Sequence, residues 1–163
     1  MTSAQQAKQL VTKFTHDRTT VSTAESCTGG LIAKLITDVS GSSAVLSGGC
    51  VSYTNEVKIS VLGVDPAIIE RHTEVSHACA AAMAEGARRL FGTELAVSTT
   101  GFAGPTGGTD TDPVGTVYLA VATPHGTHTE RFSAPADASR SGVRNAAACR
   151  ALELLMLAKA NKL

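Results

Sequence analysis

The chain has 163 residues, of which 43% are apolar and 17% are charged, and these proportions are ordinary for a globular protein with a hydrophobic core. Its 14 basic and 14 acidic side chains cancel, so no overall charge attracts DNA, RNA or an anionic membrane. No apolar run approaches the roughly 20 residues that a membrane helix needs, and the N-terminus lacks the pattern of a signal peptide. We therefore expect a cytoplasmic protein that forms a single domain over residues 1–163, with neither nucleic acid nor membrane as a partner.

The cysteines and histidines show no spacing typical of a disulfide framework or a metal site. The four cysteines are far apart in sequence, and no two form a C-x-x-C pair. None of the five histidines has a third ligand at metal-binding spacing. We expect reduced thiols and no bound metal.

Helices and strands alternate in the first part of the chain. Apolar residues at helical spacing predict a first helix over Ser3–His16 and a second within residues 29–41. β-branched residues predict strands within 19–25 and 44–54. Ser26 therefore lies where a strand passes into a helix.

The middle of the chain is predicted to be helical, with a polar residue starting each helix. Asn55 can cap a short helix over 56–62, and Asp65 followed by proline starts another. Ser76 precedes an alanine-rich helix whose small side chains would permit close packing on a sheet.

The last part of the chain begins with a strand and ends with a helix. Residues 94–102 form a predicted strand, 114–123 and 126–134 a predicted hairpin, and 138–159 the final helix. A hairpin following alternating helices and strands predicts an α/β fold, a three-layer α/β/α sandwich with a mixed β-sheet.

The stretch TAESCTGG contains two adjacent nucleophile candidates, Ser26 and Cys27. At a strand-to-helix turn, free backbone N–H groups can stabilise an oxyanion or hold a phosphate. Alternatively, Ser26 or Thr28 only caps the helix, and Cys27 is a small buried residue.

Tyr53 and Lys58 follow in the stretch SYTNEVK. We expect Tyr53 to finish the second strand and Lys58 to lie in the first turn of the next helix, both pointing toward Ser26 at the end of the sheet. A buried lysine with a lowered pKa can take the proton of a serine hydroxyl, and a tyrosine can relay it. A solvated lysine and a half-buried tyrosine are the structural alternative.

A glycine-rich loop and an arginine pair could bind an anion. The loop after the third strand, AGPTGGTDTDP, is neither a P-loop nor a dinucleotide fingerprint, but its amides and threonines suit a phosphate or ribose. Arg140 and Arg144 share one face at the start of the last helix. A solvent-exposed connection and ordinary surface arginines are the alternatives.

Taken together, these motifs resemble the CinA C-terminal domain family. The similarity covers residues 23–64, which include ESCTGG, residues 100–121, which include AGPTGG and PVGTVY, and the arginine pair in SRSGVR. The resemblance implies an amidohydrolase that converts nicotinamide mononucleotide to nicotinic acid mononucleotide and ammonia, without a metal or organic cofactor. A nucleotide-binding or regulatory module with little hydrolytic activity is the alternative.

The resemblance also implies roles for individual residues. Ser26 is the expected nucleophile, with Tyr53 and Lys58 as its proton-transfer partners. The expected substrate-binding residues are Cys27, Thr28, Gly29, Gly30, Gly101, Gly104, Thr106, Gly107, Gly108, Arg140 and Arg144. This chain has Ala138 and Ser139 where the family usually has Gly-Asp before the first arginine. The expected partner is a small nucleotide substrate, and we expect a homodimer.

Overall fold

The computed structural model describes residues 1–163 and has a five-stranded mixed sheet at its centre. The strands are β1 (Val21–Glu25), β2 (Leu46–Val51), β3 (Leu95–Gly101), β4 (Thr116–Thr123) and β5 (Gly126–Ser133). They lie in the order β2-β1-β3-β4-β5. β1 is parallel to both β2 and β3, whereas β4 is antiparallel to β3 and to β5.

Six α-helices cover the sheet. They are α1 (Ser3–His16), α2 (Leu31–Thr37), α3 (Asn55–Ser60), α4 (Pro66–His72), α5 (His77–Phe91) and α6 (Arg140–Lys159). None of them is long and apolar enough to cross a membrane.

The helices form two layers, one on each face of the sheet. Phe14 of α1, Ile36 of α2 and Leu152 of α6 belong to the largest buried apolar cluster, which covers one face. On the opposite face, Met83 of α5 packs with Leu62 in a second cluster. The predicted three-layer α/β/α sandwich with a mixed sheet is therefore confirmed.

Most helix starts follow from local capping residues. Thr2 and Gln5 form a capping box at α1, and the Asp65 carboxylate accepts from the Ala67 amide at α4. The predicted cap at Asn55 is wrong. Thr54 caps α3 instead, its hydroxyl accepting from the Val57 amide at 3.4 Å, and Asn55 is the first helical residue.

α2 begins in a different way. Gly30 precedes it with a left-handed backbone, φ +94°, and has no capping side chain of its own. The buried Glu25 carboxylate accepts from the amides of Gly30 at 3.0 Å, Ile32 at 3.0 Å and Ala33 at 2.9 Å. The capping alternative for Ser26 and Thr28 is therefore wrong, because a carboxylate one residue upstream already satisfies these N–H groups.

The topology brings several chain segments to one edge of the sheet. The three parallel strands end there, and β4, which runs in the opposite direction, starts there. The strand order reverses between β1 and β3, which is where ligands bind in open α/β sheets.

Candidate active site

A pocket of about 380 Å³ opens at this edge of the sheet. The segments that follow β1, β2 and β3 contribute to it, together with the residues just before α5 and the first residue of α6. Its lining residues are Ser26, Cys27, Tyr53, Thr54, Asn55, Lys58, Glu74, Val75, Thr100, Gly101, Phe102, Ala103, Gly104, Thr106 and Arg140. A larger depression of about 560 Å³ beside the β4–β5 turn contains none of the predicted site residues.

Ser26 and Lys58 form a buried pair in this pocket. The Lys58 Nζ atom donates to the Ser26 Oγ atom at 3.2 Å, and only 1% of Lys58 is exposed. Lys58 takes part in none of the six ion pairs of the structure. Burial lowers the pKa of Lys58 below its ordinary value of 10.5. The arrangement places a lysine that loses its proton more readily than a solvated lysine next to a serine hydroxyl.

The short helix α3 is what delivers Lys58 to the pocket. Lys58 is the only buried residue of α3, which follows directly on the loop after β2. Thr54 caps the helix start, and the amide of Val64 donates to the Lys58 carbonyl beyond its end. Both ends of the backbone around Lys58 are therefore held, which fixes where its side chain enters the pocket.

Cys27 is not equipped to act as the nucleophile. Burial raises the pKa of the Cys27 thiol to about 11, so the thiol stays neutral near neutral pH. Its backbone N–H, like that of Thr28, donates to no backbone carbonyl. Because Cys27 also lines the pocket, its amide is available as an oxyanion donor.

The rest of the ESCTGG turn lies outside the pocket lining. Thr28 Oγ1 is hydrogen-bonded to Thr99 Oγ1 at 2.7 Å. The Gly29 amide donates to the Ser26 carbonyl at 3.1 Å, and the Gly30 amide is held by Glu25. Apart from the Thr28 N–H, these polar groups serve the turn itself, and the expectation that Thr28, Gly29 and Gly30 bind the substrate stays a prediction.

Tyr53 lines the pocket but does not contact the Ser26–Lys58 pair. Strand β2 ends at Val51, so Tyr53 follows the strand rather than finishing it, and 57% of its surface is exposed. Its hydroxyl accepts from Arg140 Nη2 at 3.0 Å and bonds to neither Ser26 nor Lys58. The expected proton relay through Tyr53 stays a prediction, and in this structure the hydroxyl is engaged by Arg140.

The two arginines of α6 have different surroundings. Arg140 lines the pocket, where Nη1 donates to the Gly104 carbonyl at 2.6 Å and Nη2 to Tyr53. Its other N–H groups remain for an anion.

Arg144, by contrast, does not line the pocket. Its Nε atom donates to the Cys27 carbonyl at 3.2 Å and its Nη2 atom to the Thr28 carbonyl at 2.8 Å. The guanidinium therefore holds the turn after Ser26, and the expected role of Arg144 as a substrate ligand stays a prediction.

The glycine-rich loop lies partly inside and partly outside the pocket lining. Gly101, Gly104 and Thr106 line the pocket, whereas Gly107 and Gly108 do not. At Gly108, with φ +83°, a Cβ atom would crowd the backbone of Val114, so glycine is needed there for the turn.

The far end of the loop is anchored to the hairpin. Asp112 accepts from the Tyr118 hydroxyl at 3.0 Å and from Arg131 Nε at 2.9 Å. No three His, Cys, Asp or Glu side chains lie together as metal ligands.

Four polar residues that line the pocket were not predicted as site residues, namely Thr54, Asn55, Glu74 and Thr100. Thr100, near the carboxyl end of β3, donates to the Glu74 carbonyl at 2.7 Å. Its place at the end of a predicted strand was a usable signal. Glu74 lies between α4 and α5, where no local pattern indicates a site.

The chain is similar to proteins of one family over almost its whole length. The family model described as the CinA C-terminal domain matches residues 3–158. A CinA-like protein of Anaeromyxobacter dehalogenans (strain 2CP-C) is 51% identical over 138 residues, which are 85% of this chain and 33% of that protein. A CinA-like protein of Mycobacterium marinum is 47% identical over 150 residues, or 92% of this chain and 35% of that protein. The chain thus spans about a third of the length of these relatives.

Solved structures show the same fold. The competence/damage inducible protein CihA from Agrobacterium tumefaciens is 41% identical, with a TM-score of 0.91 covering 94% of this chain and 93% of that one. A competence-damaged protein (CinA) superfamily protein from Escherichia coli is 30% identical, with a TM-score of 0.89 covering 95% of this chain and 89% of that one. The chain therefore belongs to the CinA C-terminal domain family.

Proposed function

We propose that the chain is an amidohydrolase that converts nicotinamide mononucleotide to nicotinic acid mononucleotide and ammonia. The buried hydrogen bond between Lys58 Nζ and Ser26 Oγ is the observation that carries the proposal. It supplies an activated nucleophile of the Ser–Lys kind. The choice of substrate rests on the similarity of the ESCTGG, AGPTGG and arginine motifs to the family.

The first step forms a bond between Ser26 Oγ and the carboxamide carbon. Neutral Lys58 takes the hydroxyl proton as the bond forms, and the carbonyl oxygen becomes an oxyanion. The amide of Cys27, which donates to no backbone carbonyl, stabilises that charge. The Ser26–Lys58 distance of 3.2 Å is within reach of proton transfer.

The second step breaks the carbon–nitrogen bond. Protonated Lys58 gives its proton to the leaving nitrogen, and ammonia departs to leave an ester on Ser26. Lys58, neutral again, takes a proton from water, which attacks the ester and returns Ser26 as a hydroxyl. The sum is one amide plus one water, giving one carboxylate and one ammonium ion.

The remaining pocket residues suit the nucleotide part of the substrate. A volume of about 380 Å³ lies in the range of small-molecule sites. Arg140 has N–H groups left for a phosphate. The amides and hydroxyl of the pocket-lining part of the loop, at Gly104 and Thr106, can contact phosphate or ribose.

Ammonia release from nicotinamide mononucleotide tests the proposal directly. We expect wild-type protein to release ammonia and Ser26→Ala to lose at least about 1,000-fold in turnover, as nucleophile removal does in related catalytic systems. Ser60→Ala is the matched control, because Ser60 is exposed on α3, and should leave turnover unchanged. Binding of the nucleotide without ammonia release by the wild type would establish the binding-module alternative instead.

A further inference from the structure

Glu74 is the one acidic residue that lines the pocket. The other two charged residues there are Lys58 and Arg140. The Thr100 hydroxyl donates to the Glu74 backbone carbonyl at 2.7 Å, which ties this segment to the end of β3. The Glu74 carboxylate itself takes part in no ion pair and accepts no hydrogen bond.

Glu74 lines the same pocket as Ser26 and Lys58. Burial lowers the pKa of Lys58, and nearby groups, among them the Cys79 thiol and the Glu74 carboxylate, oppose that decrease. Glu74 is thus one of the charged groups around the Lys58 Nζ atom, which is 3.2 Å from the Ser26 Oγ atom. A charge that forms at the carbon attacked by Ser26 would lie in the pocket that Glu74 lines, where the two charges interact.

The proposed reaction changes the charge of the bound ligand only at the group that Ser26 attacks. Substrate and product share the ribose, the phosphate and the ring, so Arg140 meets the same phosphate in both. Only the carboxamide differs, because hydrolysis turns it from a neutral group into a carboxylate. A fixed negative charge near Ser26 therefore repels the product and leaves the neutral end of the substrate largely unaffected.

We propose that Glu74 is a specificity-determining residue that weakens binding of the carboxylate product relative to the amide substrate. This role rests on the proposed function of the Ser26–Lys58 pair. It counters the attraction that protonated Lys58 exerts on a newly formed carboxylate. It also gives the pocket a way to favour release of nicotinic acid mononucleotide and to resist inhibition by it.

Equilibrium binding without turnover tests the proposal. Dissociation constants of nicotinamide mononucleotide and nicotinic acid mononucleotide are measured by calorimetry on Ser26→Ala protein, with and without Glu74→Gln. We expect Glu74→Gln to tighten binding of the acid about tenfold and to change binding of the amide less than about twofold. Glu74→Ala serves as a second variant and should change the ratio in the same direction.

The control variant carries the same change of charge outside the pocket. Glu70 is exposed on α4, and Glu70→Gln should leave both constants unchanged. Equal shifts for acid and amide in Glu74→Gln, or the same selective shift in Glu70→Gln, would overturn the role of Glu74. Failure of the wild type to release ammonia would instead overturn the proposed function, whatever the binding ratio.

Discussion

Ser26 and Cys27 are adjacent in sequence but differ in their surroundings. Ser26 Oγ accepts a hydrogen bond from a buried lysine, whereas burial raises the pKa of the Cys27 thiol to about 11. A thiol needs its ionised form to react, so this environment suppresses the nucleophilicity of Cys27. The serine needs only a base within hydrogen-bonding distance, and Lys58 is in that position.

The pH dependence of the reaction tests Lys58 as the base. Because the neutral amine is the active form, kcat/KM should rise with pH and level off above the pKa of Lys58, which burial places below 10.5. Lys58→Met should lose about 100- to 10,000-fold in kcat/KM, since it removes the general base. The measurement is the pH profile of ammonia release for both proteins.

Lys58→Arg is the matched control, because its guanidinium keeps the charge and stays protonated throughout the accessible pH range. It should be as inactive as Lys58→Met. If kcat/KM still rose with pH in either variant, that rise would belong to the titration of another group.

The turn between β1 and α2 is held from two sides by neighbouring elements. The carboxylate of Glu25 occupies the first amides of α2. On the other side, α6 sends the Arg144 guanidinium to the carbonyls of Cys27 and Thr28. The Ser26 carbonyl, which shares a peptide unit with the Cys27 N–H, accepts from the Gly29 amide at 3.1 Å. The held turn therefore presents the Cys27 amide in one orientation, which is what preorganised oxyanion stabilisation requires.

Exchange of Arg144 tests this positioning role. Arg144→Lys retains the charge but loses the planar fork that reaches two carbonyls. We expect kcat to fall about 10- to 100-fold with KM changed less than about twofold, because a small displacement of the turn affects the transition state more than binding. Steady-state kinetics of ammonia release measure both constants.

Arg140→Lys, four residues earlier on the same helix, provides the contrast. Arg140 lines the pocket, so its exchange should mainly raise KM for nicotinamide mononucleotide. A raised KM with normal kcat in Arg144→Lys would show that Arg144 contacts the substrate after all.

At the scale of the whole molecule, the site is built at a cost to folding. Lys58 is 1% exposed and has no carboxylate partner within ion-pair distance. Removing an ammonium from water without pairing it opposes folding. The hydrophobic clusters on the two faces of the sheet must offset that cost.

Lys58→Met should therefore stabilise the protein while removing activity. We expect its free energy of unfolding to exceed that of the wild type by about 1 kcal/mol near neutral pH. Because the pKa of Lys58 is lower in the folded than in the unfolded protein, the wild type gains stability as pH rises toward 10.5. The difference between the two proteins should shrink accordingly, and urea unfolding at several pH values measures it. A difference that stays constant or grows with pH would contradict the burial of a destabilised ammonium.

Local patterns along the chain were sufficient to predict the secondary structure and the layers. Helix α1 has the predicted bounds Ser3–His16, and the hairpin of β4 and β5 falls within its predicted ranges. Periodicity and turn residues act over a few positions, so they can be read directly. The approach of Lys58 to Ser26 was also predictable, since parallel strands end at a common edge.

Only the tertiary structure decided which polar groups face the pocket. Arg140 and Arg144 share a helix face, yet one lines the pocket and the other holds a turn. Glu25 rather than a serine caps α2, and Glu74 enters the site from a segment between two helices. Hydrogen-bond partners far apart in sequence are chosen by how the layers pack. Sequence alone determined the elements and the expectation that Lys58 points toward Ser26. Packing decided that these two side chains meet, and it assigned the remaining polar groups to the turn or to the pocket.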